Sequence, residues 1–162
     1  MNHSIIDEYE AGGTKLEQAI RGLTPEDLSC PPPADAQDAG KWTIQQVVMH
    51  VADSELVYAE RMKRVIAEDN PTLQGYDENK WVSGLYYEDQ SAEDAVALVA
   101  TARRQMARVL RKLPESAFAR AGNHTESGRK TLAQLVEGAV KHLDHHVGFI
   151  HRKRAAMGKE MW

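Results

Sequence analysis

Four stretches of the chain carry apolar residues at the three- and four-residue spacing of an α-helix, and this periodicity leaves few folds open. We predict helices over about residues 4–22, 43–69, 91–113 and 131–158. No stretch alternates polar and apolar residues for long enough to require a sheet. The periodicity therefore predicts an all-α fold, a four-helix bundle with one core.

Residues that favour helix ends delimit the four segments. Pro71 and Pro114 end the second and third helices, because proline disfavours helical backbone in the residue before it. Gly12 and Gly13 weaken the middle of the first helix. The predicted starts carry side chains that cap helices, two of them as capping boxes: Ser4, Thr43 with Gln46, Ser91, and Thr131 with Gln134.

The connections between the helices, about residues 24–42, 70–90 and 114–130, are long for simple helical hairpins. We expect at least one of them to cross the bundle, which permits helices that follow each other in sequence to run parallel. The middle connection contains several aromatic residues, among them Tyr76, Trp81 and Tyr86. They could roof a cavity at one end of the bundle, or simply pin the loop to the core.

Size and charge restrict the classes of function. The chain of 162 residues is expected to form a single domain over 1–162. Its 24 acidic and 20 basic residues are interspersed, which makes nucleic acid a poor candidate partner. An apolar run of about 18 residues and a signal-peptide pattern are both missing, so we predict a cytoplasmic protein with no membrane partner.

Three of the seven histidines occupy positions that face the predicted core. His142 and His146 lie in the apolar stripe of the fourth helix, one turn apart on the same face. His50 follows Val47 by three residues in the second helix and can face the bundle. Each could be a hydrogen-bonded core histidine. Together they could bind a metal ion, because buried ring nitrogens without partners cost about 1–3 kcal/mol each.

Other cofactors of helical bundles fit the sequence less well. A carboxylate-bridged di-iron site uses Glu-x-x-His motifs, and the chain contains none. Haem bound by two histidines stays open, although three histidines suit a small ion better. A structural zinc site normally has four protein ligands, whereas three leave an open position at which water or a thiol can bind. The pattern thus favours a site of catalytic type.

Further polar residues near these positions could assist. Asp53, three residues after His50, could orient a ligand or accept a proton as a catalytic residue, or be a solvated helix aspartate. His145 is expected at the boundary of the site, because it is turned about 60° from His142 around the helix. The other three histidines are interpreted as surface residues: His3, His124 and His151.

Four blocks of sequence resemble the DinB superfamily, most closely its YfiT-like branch. They are WTIQQVVMHVADSE (42–55), PTLQGYDENKW (71–81), HTESGRKTL (124–132) and HLDHH (142–146), and they span nearly the whole chain. The resemblance implies a four-helix bundle of up-down-down-up order with one divalent metal ion, zinc or nickel. It also implies that the ligands are His50, His142 and His146, and that a homodimer is possible. One departure is Thr125, where proline is common in the family.

Three alternative functions stay open, the first two of them implied by the resemblance. The first is a low-molecular-weight thiol S-transferase, of the bacillithiol type, that joins a thiol cosubstrate to a small-molecule electrophile and uses the metal to activate the thiol. Tyr76, Trp81 and Tyr86 would then wall the substrate pocket. The second is a hydrolase that uses metal-bound water, with Asp53 as base. The third is a non-catalytic metal-binding bundle.

Overall fold

The computed structural model describes residues 3–32 and 40–160. These residues contain six α-helices: α1 (His3–Ile20), α2 (Pro25–Ser29), α3 (Ile44–Ala67), α4 (Glu78–Gly84), α5 (Ala92–Leu110) and α6 (Leu132–Ala156). The four long helices, α1, α3, α5 and α6, form the bundle, as the periodicity predicted. No helix within the described residues is long and apolar enough to cross a membrane.

The predicted helix starts are confirmed for three of the four long helices. Thr43 and Thr131 both form complete capping boxes, in which the hydroxyl accepts from the backbone amide three residues on. The Ser91 hydroxyl accepts from the Asp94 amide at the start of α5. The prediction for Ser4 is wrong, because α1 already begins at His3 and Ser4 lies within its first turn.

The order of the helices is up-down-down-up. α1 packs against α5 and α6, and α3 packs against the same two helices from the opposite side. The directions follow from pairs of contacts. α1 is parallel to α6, because Tyr9 and Ala139 both bond Arg103 and Ala19 bonds Arg154. α1 is antiparallel to α5, because Asp7 contacts Arg111 and Gly13 contacts Ala100. α3 is antiparallel to α6, because His50 contacts His146 and Tyr58 contacts Gly138.

A small sheet joins two of the long connections, which the sequence did not lead us to expect. Strand β1 (Thr72–Leu73) pairs in parallel with β2 (Ala121–His124), and β2 pairs antiparallel with β3 (Gly128–Thr131). Strands of two to four residues are too short to show an alternating pattern. The sheet lies between the end of α3 and the start of α6 and thereby positions the residues of both connections.

A buried cluster of polar side chains crosses the bundle at its centre. Arg103, 1% exposed, donates from Nε to Glu55 Oε2 (2.7 Å), from Nη1 to the Tyr9 carbonyl (3.0 Å) and from Nη2 to the Ala139 carbonyl (2.8 Å). The Tyr9 hydroxyl donates to Glu55 Oε1. A Cβ atom at Gly12 would lie 2.0 Å from Arg103 Nη1, so this glycine in α1 makes room for the guanidinium.

Candidate metal centre

The structure brings His50, His142 and His146 together in the groove between α3 and α6. The Nε2 atoms of His50 and His142 are 3.2 Å apart, and one ring nitrogen from each of the three residues lies within 4.8 Å of the others. His50 is 1% exposed and His146 is 8% exposed. The four-residue spacing in α6 accounts for two of these positions, and the antiparallel packing of α3 supplies the third.

Burial keeps all three imidazoles neutral. Loss of hydration lowers the pKa of His50 to about 3, of His142 to about 4 and of His146 to about 2. The other histidines of the cluster lower the values for His50 and His146 further, and Arg103 adds to the shift of His142. Each ring therefore carries a free lone pair at neutral pH, which metal binding requires.

Two buried ring nitrogens of the cluster lack a hydrogen-bond partner in the described part of the chain. Among the described residues, the buried Nδ1 atoms of His50 and His146 form no hydrogen bond. His50 Nε2 contacts His142 Nε2 and, at 3.4 Å, the Ser54 hydroxyl. Core histidines are normally hydrogen-bonded, so this cluster does not fit the interpretation as ordinary core histidines.

The arrangement fits a divalent ion. Nitrogen ligands about 2.0–2.1 Å from a tetrahedral ion are about 3.3 Å from each other, and the Nε2 atoms of His50 and His142 are 3.2 Å apart. Three neutral imidazoles form a donor set suited to zinc, nickel, copper or iron. The residues present can thus hold one ion and leave a position open.

A cavity of about 470 Å³ opens beside the histidines. Its lining includes the side of the cluster formed by His142 and His146. One part of the other walls is apolar or aromatic (Trp42, Val47 and Phe149), and another part is polar (Lys41, Glu78, Asn79 and Lys153). The Trp42 ring centre lies 4.9 Å from that of His50. A small molecule in this cavity would therefore touch the histidine cluster directly.

One carboxylate at the cavity was missed by the sequence analysis. Glu78, in the first turn of α4, lines the cavity, and its Oε2 lies 3.8 Å from His50 Nε2. The residue belongs to the block at 71–81 that carries the family resemblance, and that block was the available signal. Helical periodicity could not reveal Glu78, because it lies on a short helix far from His50 in sequence.

The three aromatic residues predicted to wall a substrate pocket occupy different environments. The Tyr76 hydroxyl bonds the Ser54 hydroxyl (2.6 Å), which in turn contacts His50, and the Tyr76 ring lies 4.2 Å from that of Trp81. Tyr86 is 71% exposed, and none of the three is among the residues that line the cavity. A role of these residues in substrate binding stays a prediction.

Asp53 is engaged away from the histidines. Its Oδ2 accepts a hydrogen bond of 2.5 Å from the hydroxyl of the buried residue Tyr87. Burial raises the pKa of Tyr87, and this hydrogen bond raises it further. Within the described part of the chain, no hydrogen bond joins Asp53 to the three histidines. Its predicted role as a base stays a prediction, and the observed contact is one that anchors Tyr87.

The remaining histidines divide into three environments. His145 lines the cavity with its ring 5.3 Å from that of His146, at the boundary of the cluster as expected. His151 is exposed, as predicted. His124 lies at the surface, where the sheet partly buries it. The side chain of His3 lies outside the described part of the structure.

The chain is similar in sequence to a protein family and to several of its members. The sequence model of the DinB superfamily matches residues 8–150. A protein of Oceanobacillus iheyensis, named "Putative metal-dependent hydrolase", is 31% identical over 145 residues, which are 90% of this chain and 81% of the relative. The Bacillus subtilis protein named "Putative metal-dependent hydrolase YfiT" is 30% identical over 155 residues, covering 95% of this chain and 83% of the relative.

Solved structures share the architecture. The structure of YfiT from Bacillus subtilis, described as having an unusual four-helix bundle topology, superimposes with a TM-score of 0.86 over 96% of this chain and 86% of its own, at 29% identity. A mycothiol-dependent maleylpyruvate isomerase superimposes with a TM-score of 0.69 over 93% of this chain and 61% of its own, at 10% identity. The second similarity is one of fold alone.

Proposed function

The chain belongs to the DinB superfamily, and on that premise we propose that it is a metal-dependent enzyme that transfers a low-molecular-weight thiol to a small electrophile. We propose His50, His142 and His146 as the ligands of one divalent ion, zinc or nickel. The observation that carries this proposal is the convergence of three neutral imidazoles beside a cavity. Three protein ligands leave a position at which a substrate atom can bind.

A divalent ion bound there would supply Lewis acidity, which favours the thiolate form of a thiol whose free pKa is about 8.5. A side chain of the protein would take up the proton of the thiol. Glu78 Oε2, 3.8 Å from His50 Nε2, is placed to accept the thiol proton. The sulfur then forms a bond to the electrophilic carbon, and the leaving group departs with the electron pair of the broken bond.

The walls of the cavity favour an electrophile with an apolar body. Trp42, Val47 and Phe149 present rings and methyl groups rather than hydrogen-bonding atoms to much of the space. Apolar walls exclude water from the reacting atoms and strengthen electrostatic interactions with a charged nucleophile. The same fold carries a mycothiol-dependent reaction in the maleylpyruvate isomerase, so the fold is compatible with thiol chemistry.

The names of the relatives favour a second candidate, hydrolysis. Several relatives near 30% identity are described as metal-dependent hydrolases. In that case water would take the place of the thiol, and Glu78 or Asp53 would accept its proton. The two candidates use the same histidines and differ in the nucleophile, so dependence on thiol separates them.

The test compares turnover with and without thiol. Purified protein loaded with zinc or with nickel is assayed with 1-chloro-2,4-dinitrobenzene and cysteine or bacillithiol, and separately with an activated ester in thiol-free buffer. We expect thiol-dependent release of chloride that is lost in His50→Ala and retained in the control His151→Ala, which changes an exposed histidine of α6. Ester hydrolysis without thiol would favour the second candidate, and stoichiometric metal without either activity would favour a non-catalytic metal-binding bundle.

A further inference from the structure

A second cavity, of about 420 Å³, lies in the same groove between α3 and α6. It is separated from the histidine cluster by Tyr58, whose ring centre is 5.8 Å from that of His142. Arg61, Lys130 and Lys141 line it, against the single carboxylate of Glu137. This basic cavity is part of a chain whose net charge is −4, so the local charge is opposite to that of the whole protein.

Arg61 is the buried member of the basic cavity. It is 7% exposed and donates from Nη2 to the Gln74 carbonyl, while its buried Nε has no hydrogen-bond partner among the described residues. In that part of the chain, no carboxylate lies within ion-pair distance of its guanidinium. A buried charge without a counter-ion is costly, and a buried guanidinium is normally paired.

His124 contributes a donor in a defined tautomer. Its Nδ1 accepts from the backbone amides of Glu126 (3.2 Å) and Ser127 (3.3 Å) in the turn between β2 and β3. The ring proton is therefore on Nε2. Burial and, secondly, the charge of Arg61 lower the pKa of His124, which keeps the ring neutral and Nε2 a donor.

We propose that the basic cavity binds an anionic small molecule through its carboxylate or phosphate group. Arg61, Lys130 and Lys141 supply the charge, and His124 supplies an N–H donor. The guanidinium, the two ammonium groups and His124 Nε2 are all donors at neutral pH, which is the chemistry that recognises an oxyanion. A bound anion would also neutralise the buried guanidinium.

The position of the cavity suggests which molecule it serves. Tyr58 lines the cavity and lies beside His142, so a ligand anchored at the basic cavity can extend past the phenol ring to the histidine cluster. The anchored molecule would then be the thiol cosubstrate, held by its acidic groups. This assignment rests on the proposed function, whereas binding of an anion does not.

The test is calorimetric titration of the protein with inorganic phosphate and, separately, with succinate. The wild type is compared with three variants, Lys141→Gln, Arg61→Gln and His50→Ala, each in the metal-free and the metal-loaded form. The control is Lys112→Gln, which changes an exposed lysine next to the end of α5. We expect saturable binding of at least one probe at one site per chain. The affinity should fall about tenfold in Lys141→Gln, the size of one lost charged contact, and stay unchanged in Lys112→Gln.

The outcomes separate this proposal from the metal centre. Anion binding that survives in His50→Ala and falls in Lys141→Gln supports the basic cavity, whatever the transferase assay shows. Binding that is lost in His50→Ala and kept in Lys141→Gln would place the anion on the metal and overturn the proposal. Failure of both probes to bind would overturn it as well. Because Lys141 is exposed, its variant remains informative even if Arg61→Gln does not fold.

Discussion

Two buried polar clusters lie less than two helical turns apart on α3, at His50 and at Glu55, and they differ in how far their hydrogen bonds are satisfied. Glu55 accepts from Tyr9 and from Arg103 with its two oxygens, and Arg103 uses three nitrogens for protein partners. In the cluster of His50, His142 and His146, two buried Nδ1 atoms have no partner within the described part of the chain.

The difference separates structure from function. A polar cluster whose donors and acceptors are all used rigidifies the core and has no atom left for a ligand. A buried cluster of neutral imidazoles without a full set of protein partners is costly to the fold and keeps lone pairs available to a ligand. Both clusters connect α3 to α6, so burial and position do not distinguish them, whereas the free ring nitrogens do. The following predictions test this contrast.

The largest effect is expected from breaking the satisfied cluster. Arg103→Met would leave the Glu55 carboxylate buried without its counter-ion, which should lower the free energy of unfolding by about 3–5 kcal/mol. Urea denaturation measures it, with Arg104→Met, an exposed neighbour on α5, as the control. A loss below about 1 kcal/mol would contradict the structural role of the cluster.

Removing the metal should have the next largest effect. At an ion concentration 100 times the dissociation constant, binding to the folded state adds about 2.7 kcal/mol of stability. We expect chelation to lower the midpoint of thermal unfolding of the wild type and to leave His146→Ala unchanged. His151→Ala should respond like the wild type. An identical response of His146→Ala and the wild type would exclude His146 as a ligand.

A methyl group at Gly12 should disturb the satisfied cluster and spare the histidines. The new Cβ in Gly12→Ala would lie 2.0 Å from Arg103 Nη1, and overpacking of this kind costs about 1–3 kcal/mol. In the control Gly148→Ala, the nearest atom is Arg152 Nη1 at 3.3 Å, on an exposed side chain that can move. That substitution should stabilise α6 by up to about 1 kcal/mol. Metal content should be unchanged in both variants.

The smallest effect is the share of a single histidine in the pH dependence of stability, for each pH unit. The folded-state pKa values of the three histidines, from about 2 to about 4, lie below the ordinary value of 6.5. Below pH 6.5 the unfolded chain therefore binds protons that the folded chain does not. The stability of the metal-free protein should fall as the pH drops from 6.5 toward 4, by up to about 1.4 kcal/mol per pH unit for each histidine.

The pH effect is measured by denaturation at several pH values, with His146→Gln as the comparison. This variant should lose one histidine's share of the slope, while His151→Gln should keep the slope of the wild type. Equal slopes in all three proteins would show that His146 is not held neutral in the folded state.

Local signals in the sequence predicted the helices, and the structure shows why some details were missed. The capping boxes at Thr43 and Thr131 were recognised because both partners lie within four residues. The sheet was missed because its strands are too short to show a period, and β1 and β2 are about fifty residues apart. Gly12 predicted a weakened helix, whereas in the structure it gives space to Arg103 from another helix.

The sequence by itself determined the four helices, their apolar faces and the pair formed by His142 and His146, because helical geometry relates residues three or four apart. Only the tertiary structure decided that His50 meets this pair and that Glu78 reaches the same cavity. It also decided that the hydrogen bonds of Arg103 are satisfied within the protein, whereas the buried Nε of Arg61 has no partner among the described residues. These facts depend on which helices pack side by side, and packing joins residues whose distance in sequence carries no periodic signal.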